Sequence, residues 1–176
     1  MALLLDFFNI VANLKNVPRQ GWIDKLKVEH SESVSDHTYS MTVMGLIYSE
    51  ILKLDTLKVL KMSLLHDLVE SKTGDITPNQ ISKKEKLLLE KRTMTDILNK
   101  LPEELEKEFT ILWDEFQENT SSESVLVHEL DKLEMALQAK IYEKKGFSEI
   151  QSFLDSTESH IKSNELKELF TKIIKQ

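Results

Sequence analysis

The chain contains no cysteine. Disulfides, a thiolate nucleophile and sulfur-ligated metal centres are therefore excluded, and any metal ion would rest on histidine, carboxylate and water. Glycine and proline are scarce, with 4 and 3 copies in 176 residues. So little turn material favours a few long helices over many short strands. Arginine occurs only as Arg19 and Arg92 among 23 basic residues, so lysine is the default cation and an arginine calls for a reason. No apolar run reaches the length of a membrane span. The N-terminal stretch MALLLDFFNIVANL has no basic region and carries Asp6, Asn9 and Asn13, which argues against a signal peptide. A net charge of -7 repels phosphate polymers and anionic lipid. Neither nucleic acid nor membrane is expected as a partner, and a phosphate-bearing ligand would need local cations. The expectation is a cytoplasmic globular protein.

Apolar spacing and capping signals then divide the chain. Leu4, Phe7, Phe8, Val11 and Leu14 predict a helix over residues 3–15, ended by a loop from Val17 to Trp22. Ser33-Val34-Ser35-Asp36 resembles a capping box, with aspartate in the glutamate position, and opens a helix to about residue 52. Asp55 can cap a helix over 56–71, followed by a loop from Thr73 to Pro78. Ser82 and Glu85 form a full capping box for a helix to about 99. Pro102, at a first helical position, starts another that runs to about 117. Ser121 to Glu123 introduce the next, with Leu126, Leu130, Leu133, Leu137 and Ile141 as its buried stripe and Gly146 as its stop. Ser148 and Thr157 open two shorter C-terminal helices. With no strand candidate, repeat or linker, the expected fold is an all-α bundle, one domain over 1–176, with short connections and antiparallel neighbours.

The stretch Leu64-Leu65-His66-Asp67-Leu68-Val69-Glu70, followed by Gly74-Asp75, sets four ionisable groups at one end of an apolar run. Each must be paired or hydrated if buried, and together they suggest a divalent cation. His66 and Glu70, four apart, share a face of a helix, and Asp67 lies roughly 100° around, still within reach of an ion beside it. A hard or borderline ion takes about six ligands, so more are needed. His37 follows an acid at a capped helix start. Asp131 sits between Leu130 and Leu133, where an unpaired carboxylate is costly. Two histidines and two aspartates would balance a 2+ charge and leave room for water and a substrate oxygen. Singly, each has a plainer explanation: His66 as a hydrogen-bonded core histidine, His37 as a surface residue, Asp131 paired with Lys132 or Lys140. The combination shifts the balance. Arg19, in a glycine-containing loop, suits two-pronged contact with phosphate, which lysine cannot reproduce. Trp22 after that turn could equally plug the core. His30, Arg92 and the run Lys83 to Lys86 read as solvated surface.

His37, His66-Asp67 and Asp131 also match, in order and separation, the H…HD…D pattern of the HD-domain metal-dependent phosphohydrolases. More specific are ESVSDH at 32–37, HDLVE at 66–70, GDITP at 74–78 and ELDKLEMALQA at 129–139. With VPRQGW at 17–22, residues 3–145 resemble the branch that holds HD-domain-containing protein 2 and the YfbR-type bacterial 5'-deoxynucleotidases; helices over about 148–176 fall outside the match. The resemblance implies one divalent metal (Mn, Co, Fe, Mg, Zn or Ni) on His37, His66, Asp67 and Asp131. It puts Glu70 and Asp75 at positions associated with catalysis, Arg19 on the substrate phosphate, and Trp22 near the nucleoside. It further implies a homodimer that hydrolyses nucleoside 5'-monophosphates, deoxy forms preferred. Lys25 stands where some relatives carry arginine. Three alternatives remain: a helical interaction protein without metal, hydrolysis of another phosphate ester, such as a cyclic nucleotide or an alarmone, and a non-catalytic helical module with a structural ion. Arg19, Glu70 and Asp75 weigh against the structural-ion module, because a structural ion does not need them.

Overall fold

A computed structural model of the chain describes residues 2–77 and 80–176. Pro78, the last residue of the GDITP loop, lies outside them. Among the described residues every regular element is a helix, and the sole strand-like pairing is an antiparallel bridge between Pro18 and Ser33. No helix is long and apolar enough to cross a membrane.

Helix α1 (Ala2–Asn13) continues into a 3-10 turn at Leu14–Asn16. Phe7 and Leu14 of its expected stripe are buried, whereas Phe8 is 57% exposed and Val11 also faces outward. The segment expected as a loop to Trp22 instead turns helical at once, as α2 (Gln20–Leu26). Its first N–H, on Gln20, donates to Asp75 Oδ2 at 2.8 Å, so the cap arrives from 55 residues away. Two further bonds hold this region: Val34 N–H to Val17 O at 2.8 Å and Arg19 N–H to Glu32 O at 3.0 Å.

Helix α3 (Val34–Leu52) opens on the Ser33/Asp36 capping box, and α4 (Thr56–Leu65) on Asp55. The two cross closely at Gly45, where a Cβ would meet Val59 at 3.1 Å and Ser63 Oγ at 3.4 Å. Helix α4 was expected to run to 71 but stops at Leu65. Residues 66–69 follow as tight turns, with Leu68 N–H bonded to Leu65 O and Glu70 N–H to Asp67 O, before the single turn α5 (Glu70–Thr73). Gly74, at φ +74, ends it.

Helix α6 (Lys83–Leu98) starts on the Ser82/Glu85 box, and α7 (Glu103–Glu118) begins one residue after Pro102, which is its N-cap. Helix α8 (Ser122–Lys144), capped by Ser121, runs through the core beside α3 and α4. Leu126, Leu130 and Leu133 are buried as expected; Leu137 is half-buried, and Ile141 is 40% exposed although its neighbours Ala139 and Tyr142 are buried, because it lies on the outward side of α8. The C-terminal pair starts later than its local signals suggest, as α9 (Gln151–His160) and α10 (Asn164–Ile174). Thr157 is no helix start: it is buried within α9, and its hydroxyl donates to the Lys132 carbonyl at 2.8 Å. A second apolar cluster of Trp22, Leu26, Ala139, Tyr142, Ile150 and Phe153 fastens α2 and α9 to α8.

Candidate active site

His37 lies in the first turn of α3, and His66 directly follows α4. The Gly45 crossing brings these helices together, and the two ring centroids stand 5.5 Å apart. His66 Nδ1 meets the Ser63 carbonyl at 2.7 Å, while His37 Nδ1 meets Glu134 Oε2 at 2.5 Å. Both Nδ1 atoms are thus occupied, and both Nε2 atoms are buried without a hydrogen-bond partner. Each instead faces a carboxylate: His66 Nε2 lies 3.0 Å from Asp67 Oδ2, and His37 Nε2 lies 3.2 Å from Asp131 Oδ1. Ligand atoms of His37, His66 and Asp67 all lie within 4.8 Å of one another. Imidazole lone pairs and carboxylates converging on one point are a donor set for a divalent cation. Three of the four expected ligands, His37, His66 and Asp67, thus form one cluster, although not through a continuous helix, and Asp131 lies beside it through His37. The turn at 66–69 replaces the shared face assumed for His66 and Glu70.

Asp67 and Asp131 line a cavity of about 470 Å3, and the imidazoles sit behind them. Glu70, Asp75 and Arg19 share that lining. Arg19 Nη1 lies 3.2 Å from Asp67 Oδ2, and Nη2 lies 3.9 Å from Asp131 Oδ1. Burial opposes its charge, but Asp67, Asp131, Asp75 and Glu70 raise its pKa further. Asp67 resists burial through His66 and Arg19, which hold it below the usual carboxylate range. Asp131 is held well below that range, against burial, by Lys132 and His37; the Lys132 ammonium lies 2.8 Å from its Oδ2. Glu70 goes the other way. Burial, then the charges of Asp67 and Asp75, push it well above its ordinary value, and its Oε2 has no partner. Opposed shifts within one cavity are typical of groups that handle protons. Asp75 has one oxygen committed to the α2 cap.

Trp22 lines the same cavity but is 2% exposed. Its ring packs on Phe153 at 4.2 Å and edge-on to Tyr142, and its indole N–H donates to Glu32 Oε1 at 2.8 Å. It therefore forms fixed wall. Lys25 caps that wall, its ammonium 4.7 Å from the Phe153 ring centre and 3.1 Å from Ser152 Oγ. Of the run Lys83 to Lys86, only Lys86 reaches the cavity edge, donating to the Ile76 carbonyl at 3.0 Å. His30 and Arg92 are exposed. The pairing of Asp131 with Lys132, one of the plainer explanations for that carboxylate, is present; three further contributors, Glu134, Glu32 and helix α9, were not foreseen. Glu134 carried a signal, because it follows Asp131 by three residues and so shares its face of α8. Glu32 is pushed up to about 7 by burial and by Glu134, against its bond from Trp22.

A family model described as HD domain matches residues 11–174. The chain belongs to the HD domain family. It is 43% identical over 170 residues to a 5'-deoxynucleotidase HDDC2 of Dictyostelium discoideum, covering 89% of each chain. The 5'-deoxynucleotidase HDDC2 of Homo sapiens is 39% identical over 175 residues, covering 97% of this chain and 84% of that protein. Among solved structures, a conserved hypothetical protein from Pyrococcus furiosus superposes with a TM-score of 0.82 at 30% identity, covering 98% of this chain and 99% of that one. The HD domain match reaches residue 174, so α9 and α10 fall inside it.

Proposed function

We propose that this chain is a metal-dependent 5'-deoxynucleotidase that releases phosphate from deoxyribonucleoside 5'-monophosphates. The carrying observation is the cluster of His37, His66 and Asp67, with Asp131 beside His37, at a cavity that Asp67 and Asp131 line together with Arg19 and Glu70. Support also comes from the name 5'-deoxynucleotidase borne by the HD domain relatives. The residues fit a single divalent ion (Mn, Co, Fe, Mg, Zn or Ni): two buried, unpartnered Nε2 atoms supply neutral ligands and two carboxylates balance its charge. When bound, such an ion supplies charge to a phosphoryl oxygen and acidifies a water.

The chain's own residues do the rest. Arg19 offers parallel N–H groups to the other phosphoryl oxygens, with its backbone held by Glu32 and its loop by the Asp75 cap. In hydrolysis the water oxygen forms a new bond to phosphorus, the bond to the 5'-oxygen breaks with its electron pair, and a proton passes from water to that oxygen. Glu70, buried with a free oxygen, is the group suited to carry the proton; Asp75 acts by holding the arginine loop. Trp22, Met135 and Phe153 form an apolar wall for the nucleoside. The Trp22 N–H is already taken by Glu32, so this ring offers a 2'-hydroxyl no donor, which supports discrimination of up to about 10²-fold against ribonucleotides. The test is phosphate release from dAMP, AMP and cyclic AMP with chelator and with each metal added back. Metal-dependent release, fastest from dAMP, is expected. Turnover of a cyclic or pyrophosphate ester alone would replace this assignment with the rival enzyme, and a protein that binds metal but turns over nothing would leave the non-catalytic module.

We also infer one HD domain over 1–176 and a homodimer. An apolar groove of about 670 Å3 runs between α1, α3 and α4, with Phe8, Val11, Val43, Leu46 and Leu64 exposed and Tyr39 73% exposed beside it. Contiguous apolar surface of this kind marks association sites. The net charge of -7 and the absence of cysteine support a cytoplasmic protein with a small nucleotide substrate and no nucleic-acid or membrane partner.

A further inference from the structure

Glu134 is 3% exposed, and does not line the cavity. A buried carboxylate is costly unless it is paired and hydrogen-bonded. Among the described residues its ion-pair partner is His37 alone, through the 2.5 Å contact between Oε2 and Nδ1. Glu32 lies close by, and one ligand atom from each of Glu32, His37 and Glu134 falls within a 4.8 Å cluster. That trio is not a second cation site. Ligands about 2.0 to 2.2 Å from one ion stand roughly 3 Å or more from each other, so 2.5 Å is a hydrogen bond. Glu32 Oε1, moreover, already accepts the Trp22 indole N–H.

Neutral imidazole carries one proton on one of two nitrogens. In the neutral ring a hydrogen bond from Nδ1–H to Glu134 would keep that proton on Nδ1 and turn the Nε2 lone pair toward Asp131 and the cluster of His66 and Asp67. His66 reaches the same tautomer through a neutral acceptor, the Ser63 carbonyl. The two acceptors differ in consequence: a carboxylate also makes the ring a stronger ligand, and such outer partners are worth about 10- to 100-fold in metal affinity. One face of α8 thereby supplies both a ligand, Asp131, and the orienting group of another ligand, His37.

We propose that Glu134 is a positioning residue for the metal centre, fixing His37 in the Nδ1–H tautomer and strengthening its Nε2 as a ligand while touching neither ion nor substrate. This rests on the assignment of His37 as a ligand. The test measures Mn2+ affinity by chelator competition for the parent, Glu134→Gln and Glu134→Ala. The expected result is a 10- to 100-fold weaker affinity for Glu134→Ala, with Glu134→Gln in between, since its amide oxygen still accepts the Nδ1–H without charge. Excess Mn2+ should restore turnover, with KM for dAMP unchanged. Unaltered affinity in Glu134→Ala, or a raised KM that excess metal does not correct, would overturn the role. Should Glu134→Ala fail to fold, ¹⁵N-histidine NMR of the zinc-loaded parent decides: His37 protonated on Nδ1 and ligated through Nε2 supports the proposal, and the reverse overturns it. A parent that takes up no ion at all would instead remove the metal site itself, a distinguishable failure.

Discussion

Asp67 is the residue on which the two roles proposed for the site meet, because one of its oxygens lies 3.0 Å from His66 Nε2 and 3.2 Å from Arg19 Nη1. Asp67→Ala should therefore lower metal content per chain and abolish phosphate release together; full metal occupancy in that variant would remove Asp67 from the ligand set. Glu70 behaves differently. Glu70→Gln should keep the metal but lose about 10²- to 10⁴-fold in turnover, the usual contribution of a positioned acid or base. It also has a stability signature in the metal-free protein. Glu70 is raised well above the ordinary value, so the folded state binds a proton that the unfolded chain has lost. Stability then falls as pH rises from about 4.5 through the raised value, since it declines wherever the native state binds more protons. Urea unfolding across this range should show a shallower decline for Glu70→Gln than for the parent; parallel curves would show that Glu70 is not held protonated. At this scale the four candidate ligands were legible because each is of a distinctive residue type in a spaced pattern. The Glu70 environment was not, because burial and the pressure of Asp67 and Asp75 arise only when separate segments meet.

At the scale of elements, the boundaries legible in the sequence are those whose caps are local. Ser33 with Asp36, Asp55, Ser82 with Glu85, and Ser121 each bond within their own first turn, and each marks a helix start correctly. Helix α2 escaped notice because its cap is Asp75, reached only after the chain has folded back. The end of α4 escaped for a related reason, since nothing local in LLHDLVE announces the tight turns at 66–69. Asp75→Ala isolates the long-range cap. Loss of such a cap costs about 0.5–2 kcal/mol, which for a chain of this size lowers Tm by roughly 1–8 °C. Because α2 follows Arg19 directly, KM for dAMP should rise more than kcat falls. A collapse of kcat with unchanged KM and Tm would instead make Asp75 a proton-transfer group.

For the whole molecule, the question left by the α1 stripe is what covers it. Spacing marked Leu4, Phe7, Phe8, Val11 and Leu14 as one apolar set, yet Phe8 and Val11 stay exposed beside the groove that α1 shares with α3 and α4. Periodicity reports that a helix has an apolar face; it cannot tell burial in its own core from burial against another copy. On α3 the same holds for Val43, Leu46 and Ile47, all exposed on a helix whose other side carries His37, Met41 and Gly45 into the core. Closed pairs with one self-complementary patch are the commonest assembly for such a surface. A charge placed in the patch must be desolvated on both subunits at once, so the penalty is doubled by symmetry. Leu46→Lys should therefore convert a dimeric parent to a monomer at micromolar concentration in sedimentation velocity, while the monomer keeps its helical circular dichroism. A parent that sediments as a monomer at tens of micromolar would show that this apolar face is not closed by a second copy.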